Sequence, residues 1–268
     1  MPIVIPQDIP AYSVLKEENI FVMNSERAYS QDIRPLEIAI LNLMPTKVET
    51  ETQFMRLLSN SPLQVNVTLI YTKSYKSKNT AAAHLDRFYK SFDDIKNRHF
   101  DGMIITGAPV ETLPFEEVKY WNELKKIFDY ADRNVTSTIY ICWGAQAALY
   151  YYYGIEKRLL PEKLFGIFPH KKFLEQHDPL LKGIDDVFNV PHSRHTTVWE
   201  EDVDKVGDLI RLSHSDYTGL SIAKSKDNKK IFLTGHMEYD RDTLKKEYER
   251  DVAKGLPIAP PFNYFSDD

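Results

Sequence analysis

Apolar and polar positions alternate along this chain in two different rhythms. Leu36 to Leu43 (LEIAILNL) is apolar almost throughout and predicts a strand buried on both faces. After Met44-Pro45-Thr46, the stretch Glu49 to Leu58 carries Phe54, Met55 and Leu58 at helical spacing. Val65 to Tyr71 predicts a second strand, and the polar run Lys73 to Thr80 a loop. A helix containing Leu85, Phe88, Tyr89 and Phe92 follows. Asp101 to Thr106 predicts a third strand, ended by Gly107-Ala108-Pro109. Phe115 to Ala131 predicts a helix with Val118, Trp121, Leu124, Ile127 and Phe128 on one side. Thr136 to Cys142 is a fourth strand and Trp143 to Tyr153 the helix after it. From Glu156 to Ile231 the pattern predicts shorter, less regular elements of more antiparallel character.

Strands alternating with helices predict an α/β fold with a mostly parallel sheet flanked by helices on both faces. Ligands of such sheets bind beyond the carboxyl ends of the strands, where Gly107-Ala108-Pro109 and Cys142 would lie. No internal repeat or linker interrupts the pattern, so residues 1–268 are expected to form a single domain. The chain is 43% hydrophobic and 27% charged, the balance of an ordinary globular protein. A formal net charge of -5 leaves no basic face for nucleic acid. No apolar run is long enough for a bilayer, and the opening residues do not read as a secretory signal. A cytoplasmic location is expected, without membrane or nucleic-acid partners. The single cysteine agrees with a reducing compartment.

That cysteine is also the leading candidate for chemistry. In Ile141-Cys142-Trp143-Gly144-Ala145-Gln146 a buried strand runs into a thiol, then into small residues that begin a helix. This is the layout of a nucleophile elbow. The helix N-terminus favours the thiolate, and backbone N–H groups there can hold an oxyanion. Out of this context a lone cysteine reads as a small buried hydrophobe. A thiolate nucleophile needs a base, and Gly235-His236-Met237-Glu238 follows the apolar run Lys230 to Thr234. In an extended segment His236 and Glu238 would point the same way, the carboxylate orienting the imidazole. His192, His195 and His214 form no HExxH-like pair and join no second cysteine, so no metal site is expected. There is no P-loop and no GxGxxG fingerprint, and no cofactor is expected.

Together the elbow and the later His-x-Glu resemble the class I glutamine amidotransferase-like superfamily, with its flavodoxin-like architecture. The fuller resemblance is to the homoserine O-acyltransferases of methionine biosynthesis. It rests on MPIVIP, Glu18-Asn19-Ile20-Phe21, Asn42 to Lys47 with Glu49 to Gln53, GAPVE, ICWGAQA, Pro191-His192-Ser193-Arg194-His195, GHMEYD and Pro261 to Phe265. These motifs span essentially the whole chain. The resemblance implies that Cys142 forms an acyl-thioester, that His236 accepts protons and that Glu238 completes a triad. It implies contacts from Lys163, Ser193 and Arg250 to L-homoserine. Glu111 matches the position where glutamate goes with acetyl-CoA and glycine with succinyl-CoA. A carboxylate there would repel a succinyl carboxylate and fill its space.

The implied reaction is ping-pong acetyl transfer from acetyl-CoA to L-homoserine, the oxyanion resting on the backbone of Trp143 and Leu43. A succinyl-CoA enzyme, a glutaminase-like hydrolase and a non-catalytic thiol-sensing module remain alternatives. Lys47 is left undecided between a catalytic and a structural part, and a homodimer is one open assembly. Relatives continue past the Asn-Tyr-Phe motif while this chain stops at Asp268, so a shortened C-terminus is an expectation too.

Overall fold

The computed structural model describes residues 3–30, 33–74, 80–173, 175 and 177–265. Within them the chain divides into two compact units. One comprises residues 1–109 and 115–139, the other residues 110–114 and 140–268. The termini at 1–2 and 266–268, and most of the polar run after Lys73, lie outside the described residues.

The first unit contains β1 (Ile3–Val4), α1 (Pro10–Glu17), β2 (Val22–Met23), α2 (Ser25–Tyr29), β3 (Leu36–Leu41) and α3 (Lys47–Ser59). It continues with β4 (Val65–Ile70), α4 (Ala82–Phe88), β5 (Tyr89–Lys90), α5 (Phe92–Ile95), β6 (Phe100–Ile105) and α6 (Trp121–Asn134). Strands run parallel in the order β2-β1-β4-β3-β6, with β5 beside β4. Leu36 pairs with Val65 and Leu41 with Ile70, while Ile38 faces Gly102. Ala39, Ile40, Leu41, Ile70 and Ile105 are fully buried, which is why these strands read as continuous apolar runs.

Two helices differ from expectation. The helix predicted through Phe92 ends at Phe88, and Tyr89 enters a short strand against Leu69 and Ile70. The Tyr89 hydroxyl is drawn inward to the buried Glu51 carboxylate at 2.5 Å. Ser91 then starts a new helix through a capping box with Asp94. The helix predicted from Phe115 begins at Trp121, since Phe115–Glu117 forms only a 3₁₀ turn.

β7 (Val135–Ile141) leads into α7 (Trp143–Tyr153). The second unit then holds β8 (Arg158–Lys172), β9 (Val187–Thr197), α8 (Glu200–Asp204), β10 (Leu209–Ser215), β11 (Gly219–Ser225), β12 (Lys230–Leu233) and α9 (Thr243–Ala253). The order β12-β11-β10-β8-β9 is antiparallel throughout. The antiparallel character agrees with expectation, but the predicted shortness does not. β8 is 15 residues long and β9 is 11. Pro161, Pro169, Pro191 and Gly166 lie inside these strands and break the alternation that marks a strand in sequence. The α/β class with a mostly parallel sheet holds for the chain. No helix among the described residues is long and apolar enough to cross a membrane.

Candidate active site

Cys142 sits between β7 and α7 with φ 51° and ψ −116°, a conformation few side chains adopt. Its N–H donates to the Leu233 carbonyl at 2.7 Å, and its carbonyl accepts from Gln146 N–H at 3.1 Å. The first bond ties Cys142 to the end of β12. His236 is three residues further on, so the imidazole arrives beside the sulfur by chain connectivity. The His236 N–H donates to the Pro191 carbonyl at 2.9 Å, which pins the ring from β9.

His236 Nδ1 and Glu238 Oε1 are 2.7 Å apart, both residues buried. The sequence predicts an extended segment here. The chain instead turns here, with the Tyr239 N–H on the His236 carbonyl at 3.4 Å. The imidazole also lies close enough to Cys142 to interact with it. Burial alone would lower its pKa, but the Glu238 carboxylate and the Cys142 sulfur outweigh that, and it stands well above the usual histidine range. The arrangement favours a protonated imidazole beside the Cys142 sulfur, oriented by a carboxylate. Tyr239 stacks on the imidazole with ring centroids 4.2 Å apart and 18° between planes.

The Tyr239 hydroxyl donates to Glu247 Oε1 at 2.9 Å, and Ser193 Oγ donates to Glu247 Oε2 at 2.6 Å. Lys163 Nζ lies 3.8 Å from Glu247 and 3.4 Å from Asp251. Arg250 grips Asp251 through Nε at 2.7 Å and Nη2 at 3.0 Å. Lys163, Ser193 and Arg250 are thus gathered into one cluster, joined to the histidine through Tyr239. The β8–β9 register breaks between Leu159 and Leu164, which places Lys163 at the irregularity rather than in the regular ladder. A cavity of about 520 Å³ opens here, lined by Lys163, Phe165, His195, Asp251 and the Leu256–Pro260 segment. Neither Tyr239 nor Glu247 was singled out from sequence. The spacing of Glu247, Arg250 and Asp251 at i, i+3 and i+4 on α9 was the available signal.

Glu111 Oε2 accepts the His195 N–H at 2.8 Å and lies 3.3 Å from Thr196 Oγ1. Thr196 Oγ1 donates to Gln146 Oε1 at 2.7 Å, in the first turn of α7. The carboxylate is therefore fixed rather than loose on a loop.

The two backbone groups expected to hold an oxyanion differ. Trp143 is the first residue of α7, beside Cys142. The Leu43 N–H, in the first unit, already donates to Thr106 Oγ1 at 2.8 Å. Lys47 is buried in that unit, its ammonium on the Asn42 and Met44 carbonyls, and burial lowers its pKa to about 8. Of the histidines weighed as ligands, His192 meets His170 at 3.0 Å and His214 stacks on Phe173.

Comparison with known proteins follows the same lines. Solved structures of similar fold include a glutamine amidotransferase from Thermotoga maritima. It has a TM-score of 0.57 and 13% identity, over 85% of this chain and 87% of that one. A glutamine amidotransferase from Methylobacillus flagellatus has a TM-score of 0.52 and 14% identity, over 87% and 85%. At such identities the likeness speaks for the fold. Among curated relatives, a homoserine O-acetyltransferase of Geobacillus kaustophilus is 60% identical over 100% of this chain and 88% of its own length. Proteins of that name from Shouchella clausii and Acetivibrio thermocellus are each 58% identical, over 99% and 100% of this chain and 85% and 88% of theirs. The family model described as homoserine O-succinyltransferase matches residues 2–268. By that match and these full-length identities, the chain belongs to the homoserine O-succinyltransferase family.

Proposed function

We propose that the protein transfers the acetyl group of acetyl-CoA to the hydroxyl of L-homoserine, yielding O-acetyl-L-homoserine and coenzyme A. The observation that carries this reading is His236, bound to Glu238 and set beside Cys142. The Cys142 thiolate attacks the thioester carbonyl. Its oxyanion rests on backbone N–H groups at the start of α7. The tetrahedral species collapses, the C–S bond to coenzyme A breaks, and the departing thiolate takes the proton held on His236. That step leaves a neutral imidazole beside an acetyl-cysteine. Homoserine then attacks the new thioester while His236 receives its hydroxyl proton. The Cys142 thiolate is expelled and the pair is restored.

Lys163 and Arg250 would hold the homoserine carboxylate, and the neighbouring Glu247 and Asp251 balance them, a setting suited to a zwitterion. Acetyl as the acyl group follows from Glu111. A fixed carboxylate accepts a neutral methyl and repels the free carboxylate of a succinyl group. A reducing, cytoplasmic setting suits the single thiol.

The test is coenzyme A release from acetyl-CoA and from succinyl-CoA, with and without L-homoserine. Homoserine-dependent release favouring acetyl-CoA is expected, and mass spectrometry should find an acetyl adduct on Cys142 that Cys142→Ala lacks. Preference for succinyl-CoA would sink the assignment of Glu111. Normal turnover by Cys142→Ala would sink the mechanism.

A further inference from the structure

β9 alternates strictly from Val190 to Thr196, with Val190, His192, Arg194 and Thr196 buried and the residues between them less so. Arg194 is thus an arginine at an inward position, 1% exposed. An unpaired charge in such a place is costly, and buried guanidinium groups are normally matched by carboxylates. Among the described residues, Arg194 has none within hydrogen-bonding reach. Nη1 donates to the Thr196 carbonyl at 2.7 Å, Nη2 to the Thr218 carbonyl at 2.8 Å, and Nε to His192 Nδ1 at 3.3 Å. All three acceptors are neutral. The negative groups that act on it through space are Cys142 and Glu111. Burial brings its pKa down to about 10, which still leaves it a cation at neutral pH.

A physical connection accompanies the charge. The Thr196 carbonyl that accepts from Arg194 also accepts from Gln146 Nε2 at 3.0 Å, and Thr196 Oγ1 donates to Gln146 Oε1. Gln146 in turn bonds the Cys142 carbonyl through its own N–H. The guanidinium is two residues removed from the nucleophile's backbone. His236 and Tyr239 also interact with Cys142. His192, which accepts from Arg194, and His170 beyond it are both held neutral by burial, so neither cancels its effect.

We propose that Arg194 is a positioning residue whose buried charge finds its counter-ion in the Cys142 thiolate and holds that thiolate ready for attack. Arg194 touches no substrate in this scheme. It acts through space on the sulfur and through Thr196 and Gln146 on the turn that presents it. The proposal rests on Cys142 being the nucleophile, but not on the identity of the acyl donor or acceptor.

Because the chain has one cysteine, alkylation by iodoacetamide reads Cys142 directly, with no acyl donor present. In Arg194→Gln the pH midpoint of alkylation should rise by about one unit or more, as expected for loss of a nearby opposite charge. Arg194→Lys should stay near the parent. A folded Arg194→Gln with the parent profile overturns the proposal. Should that variant fail to fold, Glu111→Gln supplies the second arm. Removing the competing anion leaves the thiolate as the sole counter-charge, so the midpoint should fall, and an unchanged or raised midpoint overturns the proposal. Absence of acetyl-enzyme in the parent, with these shifts intact, would instead count against the proposed function alone.

Discussion

His236 is held at three points by groups that come from different parts of the sequence: Pro191 at its backbone, Glu238 at Nδ1 and Tyr239 across its face. Glu238→Gln keeps the shape but removes the charge that holds the imidazolium. Turnover should fall by about 10⁴-fold, the size known for loss of an orienting triad carboxylate. In the proposed mechanism the first half-reaction uses the protonated ring, so the alkaline limb of the coenzyme A burst should move toward acid. Burst amplitudes measured from pH 6 to 10 decide it, and an unmoved limb would remove Glu238 from the triad. Cys142 was legible because an elbow is local: strand, thiol, small residues, helix. The His236–Glu238 contact was also legible, though a turn makes it and not the assumed strand. Arg194 was not, because its burial depends on the Thr218 carbonyl, 24 residues away.

Among the elements, the segment from β12 to His236 leaves the least room. A Cβ on Gly235 would overlap Val190 Cγ1 and come within 2.9 Å of His192 Nε2. Val190 is buried, and the His192 ring is parallel to His170 and hydrogen-bonded to it at 3.0 Å, so neither moves aside freely. Gly235→Ala should therefore destabilise the fold by about 1–3 kcal/mol, the usual cost of overpacking. It should also shift His236 and lower activity. Thermal unfolding alongside coenzyme A release checks both, and an unchanged melting temperature would show that the neighbours yield after all. At this scale the parallel strands were legible because each is an apolar run closed by a loop. The helix drawn through Tyr89 was not, since its end is set by Glu51, far back on α3.

Across the molecule, acidity acts through the same histidine pair. Arg194 can only donate, so His192 Nδ1 must accept, its Nε2 carries the proton, and His170 Nε2 receives it. A proton added to either ring breaks this chain. Burial lowers the pKa of His170 to about 4 and that of His192 well below the usual value. Between about pH 6.5 and 4 the unfolded chain binds protons that the folded one refuses, so stability falls as pH drops through this window. His236 carries the opposite sign, its contribution lost only as pH rises through its elevated pKa. Urea midpoints at pH 7, 5.5 and 4.5 should decline, and less steeply in His170→Phe. Equal slopes in parent and variant would rule out the pair as the source. The resemblance spanned the chain and made its family and α/β class readable. What it left unread was the long β8 and β9, whose prolines and glycine disguise them.

The backbone of Cys142, at φ 51°, stores strain of about 1–3 kcal/mol that glycine would not feel. Glycine's extra freedom in the unfolded chain offsets only about 1 kcal/mol of that relief. Heat resistance and chemistry therefore pull in opposite directions at this one position. Glycine at 142 would relieve that strain and end the proposed chemistry. By the same reasoning, efforts to harden this protein should place their substitutions away from the elbow.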